Sequence, residues 1–136
     1  STSDAGSYPI TASGASDVNY TISYTAGTLT IGKATLNIKA DNKTMIYGGI
    51  LPALIESYTR LVNDDTAPAT LPTVTPTATS TSDAGTYPST ASGASDVNYT
   101  ISYTAGTLTI GKATLNIKAD NKTMSYGGTL LVLTVS

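Results

Sequence analysis

Residues 1 to 57 and 80 to 136 carry nearly the same sequence twice, and this repeat constrains the fold more than any other feature. At a constant offset of 79 the two stretches agree at 49 of 57 positions, and from Thr11 to Met45 and Thr90 to Met124 the match is unbroken. A period of 79 is too long for one turn of a solenoid and suits a small sandwich domain, which runs to roughly 100 residues. The chain of 136 residues is therefore read as about one and three-quarter repeats of a tandem array. Outward positions are copied too, Thr21, Ser23 and Thr25 reappearing as Thr100, Ser102 and Thr104. Folding does not demand that, so recent duplication explains it.

Within each copy the period is two. Tyr20, Ile22 and Tyr24 alternate with Thr21, Ser23 and Thr25, then Thr25-Ala26-Gly27 offers a turn and Leu29 and Ile31 follow. This spacing predicts an antiparallel hairpin from Tyr20 to Ile31, with one face buried and hydroxyls on the other. Leu36, Ile38 and Ala40 alternate with Thr35, Asn37 and Lys39, Asp41-Asn42-Lys43 reads as a turn, and a further apolar strand is expected around Leu54. Pro68, Pro72 and Pro76 mark the stretch 66 to 81 as an edge strand or loop. No segment has sustained helical periodicity. The expected fold class is all-β: tandem small Ig-like antiparallel β-sandwich repeats of 79 residues.

Composition narrows the function. The chain has no Cys, His, Trp or Phe, which removes thiol nucleophiles, disulfides, imidazole bases and the commonest zinc ligands. No catalytic residue, metal site or cofactor is expected. Seven Lys and Arg stand singly, with a net charge of -2, so no basic stripe invites nucleic acid. No apolar run is long enough to span a membrane. Ser1-Thr2-Ser3 opens the chain without Met, as expected for an interior piece of a longer polypeptide or a processed product.

The runs "LNIKADNKTMIYGG", "LPALIESYTRLVNDDTAPATLPTV" and "AGTYPSTASGASDVNYTISYTAGTLTI" resemble the bacterial Ig-like repeats called MBG domains of the YGX type. The matching positions are Lys43, Tyr47 and Gly48, then Pro52, Val62-Asn63-Asp64-Asp65, then Gly85, Tyr87 and Pro88, and finally Asn98, Tyr99 and Ile101. One extra residue separates Lys43 from Tyr47, and Asp64 stands where that family usually has Gly. The resemblance implies tandem modules of large secreted or cell-surface bacterial proteins, in a stalk, adhesin or filament, without a catalytic site. It places the module junctions at Gly32-Lys33 and Gly111-Lys112. Residues 1 to 33 are then the C-terminal part of one repeat, 34 to 112 a complete repeat, and 113 to 136 the N-terminal part of a third. A joint of about two residues leaves little freedom to bend, so consecutive modules should form a stiff rod.

Candidate sites are few. Asn63, Asp64 and Asp65 cluster oxygens that calcium could use, although calcium wants six to eight ligands and turn chemistry accounts for the same residues. A Lys-Asn isopeptide bond would need a nearby buried acid, and Glu56 is Val135 in the other copy. Asn19, Asn42, Asn98 and Asn121 lie in Asn-x-Thr sequons. Tyr and Thr side chains could contact a surface glycan or a partner protein. The remaining expected partners are neighbouring repeats of the same chain or identical subunits. The stretch Thr129, Leu130, Leu131, Val132, Leu133, Thr134, Val135 is the candidate assembly edge: each partial repeat would expose strand edges and an open core, and the start of one subunit could complete the end of the next by strand addition.

Overall fold

The computed structural model describes residues 2–136; Ser1, where the first partial repeat is taken to begin, lies outside them. Among the described residues there are nine strands and no helix. Strands β1 (Gly6–Ile10) and β2 (Gly27–Ile31) form a two-stranded antiparallel sheet. The other seven lie between Ala34 and Gly111: β3 (Ala34–Ala40), β4 (Lys43–Ile46), β5 (Glu56–Thr59), β6 (Thr73–Pro76), β7 (Gly85–Ser92), β8 (Tyr99–Thr104) and β9 (Gly106–Gly111). They make a three-stranded sheet in the order β5-β3-β8 and a four-stranded sheet in the order β4-β9-β7-β6.

Two inward stripes fill the space between the sheets. Leu36, Ile38, Ala40, Ala91 and Tyr99 form one buried cluster, with Tyr58, Val74 and Ile101 packed against it. Met45, Ala78, Leu108 and Ile110 form a second, bordered by Leu51 and Tyr87. Leu36, Ile38 and Leu108 have no exposed surface at all, so each contributes roughly 1.5–3 kcal/mol of transfer free energy.

The all-β expectation holds, but the sheets are mixed rather than antiparallel throughout. β3 runs parallel to β8, from Ala34 opposite Tyr99 to Lys39 opposite Thr104. β4 runs parallel to β9, from Lys43 opposite Leu108 to Ile46 opposite Gly111. The expected hairpin is also corrected by the complete copy. Tyr99–Thr104 and Gly106–Gly111 follow one another directly yet belong to different sheets. The short Thr-Ala-Gly link therefore carries the chain across the sandwich instead of turning it back.

The physical reason lies beside it. β3 crosses to β4 through Asp41-Asn42 alongside the β8 to β9 crossing, and the Asn42 side chain accepts a hydrogen bond from the Thr107 N–H at 3.0 Å. A Cβ on Gly106 would lie 2.2 Å from the Ala40 carbonyl oxygen. Only glycine allows two chains to change sheets side by side at this distance.

The stretch 66 to 81 supplies β6, paired with β7 alone and so an edge, as its prolines require. The strand expected around Leu54 begins instead at Glu56, beyond Pro52, which has no N–H for a ladder. No helix among the described residues is long and apolar enough to cross a membrane.

Context decides what the copied sequences become. Tyr99 is 3% exposed and its copy Tyr20 75%; Leu36 is 0% exposed and its copy Leu115 81%. Residues 20–25 and 113–118 form no strand, although their copies are β8 and β3.

Two predictions follow from the core. Gly106→Ala should unfold the module at ordinary temperatures, read as loss of the cooperative thermal transition, because a backbone oxygen occupies the new methyl's place. Ser89 is fully buried and its hydroxyl has no hydrogen-bond partner. An unsatisfied buried group costs roughly 1–3 kcal/mol, so Ser89→Ala should raise stability by about 1 kcal/mol in denaturant titration.

Candidate functional site at the repeat junction

The side chains with the most specific polar geometry gather where the first partial repeat meets Ala34. Asn98 is at the centre. Its own N–H donates to Asp96 Oδ1 at 2.8 Å, an Asx turn that orients the residue, and its carbonyl accepts the Ala34 N–H at 2.9 Å. Asp96 is anchored in turn, since its Oδ2 accepts the Ala69 N–H at 2.9 Å. The Asn98 amide then reaches back across the junction. Its Oδ1 accepts the Ala5 N–H at 2.7 Å and its Nδ2 donates to Asp4 Oδ1 at 3.0 Å. One residue, through its backbone and its side-chain amide together, thus ties the first strand of the complete copy and the loop before β8 to the segment preceding β1.

Tyr99 supports this corner from below. Its hydroxyl donates to Asp65 Oδ2 at 2.6 Å, lies 3.1 Å from the Val62 carbonyl oxygen and accepts the Val62 N–H at 3.0 Å. The turn between Val62 and Asp65 is closed by Asp65 N–H to Val62 carbonyl at 3.1 Å, with Asn63 at φ 57° and Asp64 at φ 63°. Asn and Asp tolerate that left-handed region better than other side chains, and this accounts for the Asn-Asp-Asp sequence in structural terms. Asp65 is engaged by Tyr99, and no three Asp, Glu, His or Cys side chains cluster as metal ligands among the described residues. A cleft of about 320 Å³ remains between Asp4, Ala5, Gly32, Asp65, Asn98 and Tyr99.

The motif residues divide between the two ends of the complete copy. Asn98 and Tyr99 stand at the Ala34 end, with Asn63 to Asp65. At the other end Lys43 opens β4, the Tyr47 N–H donates to the Gly111 carbonyl at 2.8 Å, and Gly48 takes φ 78° in the turn that follows. The Tyr87 hydroxyl donates to the Asp83 carbonyl at 2.9 Å, and the Pro88 carbonyl accepts the Thr77 N–H at 3.1 Å. Tyr47, Asp83, Ala84 and Lys112 line a second cleft there. Asp83 and Ala84 are the copies of Asp4 and Ala5, so the second cleft presents the surface that Asn98 grips at the first.

Residues 129–135 are exposed. Val135 bridges Ala119 antiparallel, and Lys118 and Ser136 exchange backbone hydrogen bonds at 3.0 and 2.9 Å. This reproduces the pairing of Ala40 with Glu56 one repeat earlier.

A family model described as the MBG domain (YGX type) matches residues 1–30 and 36–109. The chain belongs to this family. MBG domains are β-rich, non-enzymatic repeats of surface and secreted proteins. No curated protein and no solved structure matches the chain.

The residues of this MBG chain that sequence reasoning overlooked are Asp4 and Ala5. Their signal was present, since Asp-Ala-Gly and Asp-Val-Asn each occur twice, but the contact joins successive repeats and leaves no mark on the period within one.

Two tyrosines become weaker acids than a free tyrosine. Burial, a 2.8 Å hydrogen bond to Glu56 and the charge of that carboxylate push Tyr58 up to about 12. The hydrogen bond to Asp65, then burial, raises Tyr99, against a smaller opposing effect of the Val62 backbone. A folded-state pKa above the unfolded value means that each contribution is complete below about pH 10 and is lost as pH rises through the folded value, which is about 12 for Tyr58. Ultraviolet titration should therefore show a late tyrosinate phase that loses amplitude in Tyr58→Phe and in Tyr99→Phe. Stability should fall over the same interval, and Glu56→Gln should shift the Tyr58 phase downward.

Proposed function

We propose that this chain is a non-catalytic structural segment of an extracellular bacterial stalk, adhesin or filament, acting as a stiff spacer and assembly module. The modules in this reading are 34–112, preceded by the end of one repeat and followed by the start of another. The observation that carries it is the grip of Asn98 on Asp4 and Ala5 across the Gly32-Lys33 link. A two-residue connection bounds how far successive modules can separate, and a bidentate side-chain amide fixes how they are oriented. Two hydrogen bonds contribute roughly 1–3 kcal/mol together, enough to hold the joint in one arrangement most of the time. The partners in this reading are neighbouring repeats. Asn98 and the residues it grips each occur in both copies, so every joint of such an array can be made the same way.

A second reading, a subunit that polymerises through strand complementation, is favoured by one observation. Residues 20–25 and 113–118 lie outside any strand, while their copies pair with each other as β8 and β3.

The spacer reading is tested at the joint. With Thr28→Cys and Thr59→Cys carrying spin labels in this cysteine-free chain, the distance distribution should be narrow, and Asn98→Ala should broaden it without changing the thermal transition of the module. A distribution already broad with Asn98 present would contradict the reading.

A further inference from the structure

We propose that the free edge of β8 pairs with β8 of a second copy of this chain, antiparallel about a two-fold axis at Ser102, so that their three-stranded sheets become one. The pairing is independent of the joint that Asn98 holds, and in a stalk of such modules it would lay two arrays side by side.

The edge strands of the complete copy are β5 and β8 in one sheet and β4 and β6 in the other. All but β8 are guarded in the ways that sheet proteins use against unwanted strand addition. β4, β5 and β6 have only 4 residues each; β4 opens with Lys43, β5 opens with Glu56, and β6 ends at Pro76. β8 has 6 residues, Tyr99 to Thr104, and none of them is charged, proline or glycine. It lies wholly within the complete copy.

The direction of its backbone groups identifies what is open. The Asn98 carbonyl accepts the Ala34 N–H at 2.9 Å, so the backbone polar groups of Asn98, Thr100, Ser102 and Thr104 face β3. These groups alternate from one residue of a strand to the next, so the N–H and C=O of Ile101 and Tyr103 face away from β3. No strand among the described residues pairs with them there. Ser102, Tyr103 and Thr104 are exposed, Tyr103 by 41%. The outer side chains are drawn off this edge, because the Asn37 amide donates to Ser102 Oγ and Thr104 Oγ1 at 3.1 Å each from the β3 side.

The partner follows from the order of the side chains. Thr100-Ile101-Ser102-Tyr103-Thr104 alternates hydroxyl and apolar groups and has the same pattern in reverse. Turned about Ser102, the strand meets itself with every rung matched. Thr100 would face the second copy's Thr104, Ile101 would face the second copy's Tyr103, and Ser102 would face Ser102. Threonine pairs and aromatic with β-branched pairs are favourable cross-strand neighbours. In this register the open N–H and C=O of Ile101 meet those of the second copy's Tyr103, and the two-fold axis repeats the exchange. A surface that complements itself after a half-turn is the mark of an isologous contact between identical chains. One such contact is small and belongs to the weak, reversible class. Two arrays that repeat it with the same period would add many of them.

Ser102 stands on the axis, and a charge there tests the register. Analytical ultracentrifugation of the full chain should show its mass rising toward that of a dimer with concentration. Ser102→Lys and Ser102→Glu each set like charges opposite one another and should weaken association by roughly tenfold or more, leaving the thermal transition of the 34–112 module in place. An equal mixture of the two variants should regain association, because opposite charges then face across the axis. A monomer at every concentration overturns the proposal. Association that both charged variants retain overturns it as well, by placing the contact elsewhere on the chain. A mixture that associates no better than its components overturns the pairing about Ser102.

Discussion

The module depends on two parallel contacts between its beginning and its end, β3 with β8 and β4 with β9. β3 is the central strand of its sheet, and β9 is held on both sides in the other, by β4 and β7. Without β8 and β9, the Leu36 and Ile38 stripe loses Tyr99 and Ile101, and Met45 loses Leu108 and Ile110. The same dependence explains why the partial copies stay open. Local hydrogen bonds survive in them, such as the Tyr8 hydroxyl to the Asp4 carbonyl at 2.8 Å, matching Tyr87 and Asp83. What the partial copies lack is the distant half of the pairing, and residues 20–25 are not a strand without it.

The alternation of Leu36, Ile38 and Ala40 and of Leu108 and Ile110 was readable from the chain because burial on one face imposes a period of two whichever way the neighbour runs. For the same reason it could not tell parallel from antiparallel. Tyr20 to Ile31 looked like a hairpin because Thr-Ala-Gly suits a turn, whereas the structure uses the glycine for close passage beside Ala40. That distinction depends on residues some 65 positions away along the chain, such as Asn42 and Thr107, and no local pattern records it. The prolines of 66 to 81 were legible because a missing N–H restricts a strand whatever lies around it.

Sites followed a similar divide. Asn63, Asp64 and Asp65 were visible as an oxygen-rich loop, and the structure shapes them as a turn with Asn63 and Asp64 left-handed and Asp65 turned toward Tyr99. Asn98 stood out through its sequon and the family resemblance, Tyr99 through the resemblance. The grip of Asn98 on Asp4 and Ala5 joins residues more than ninety positions apart in the chain. Such a contact becomes visible only once two repeats are placed end to end.

Parallel pairing of the first strands with the last also has a consequence for how the module would carry load in the proposed stalk. The chain enters at Ala34 and leaves at Gly111, the start of one parallel ladder and the finish of the other, so a pull along the array draws these ends apart along the strand direction. An antiparallel pair of terminal strands would be peeled open one hydrogen bond after another. Here the rungs of both ladders resist in shear, sharing the tension at once, and the module gives way only when the whole set yields.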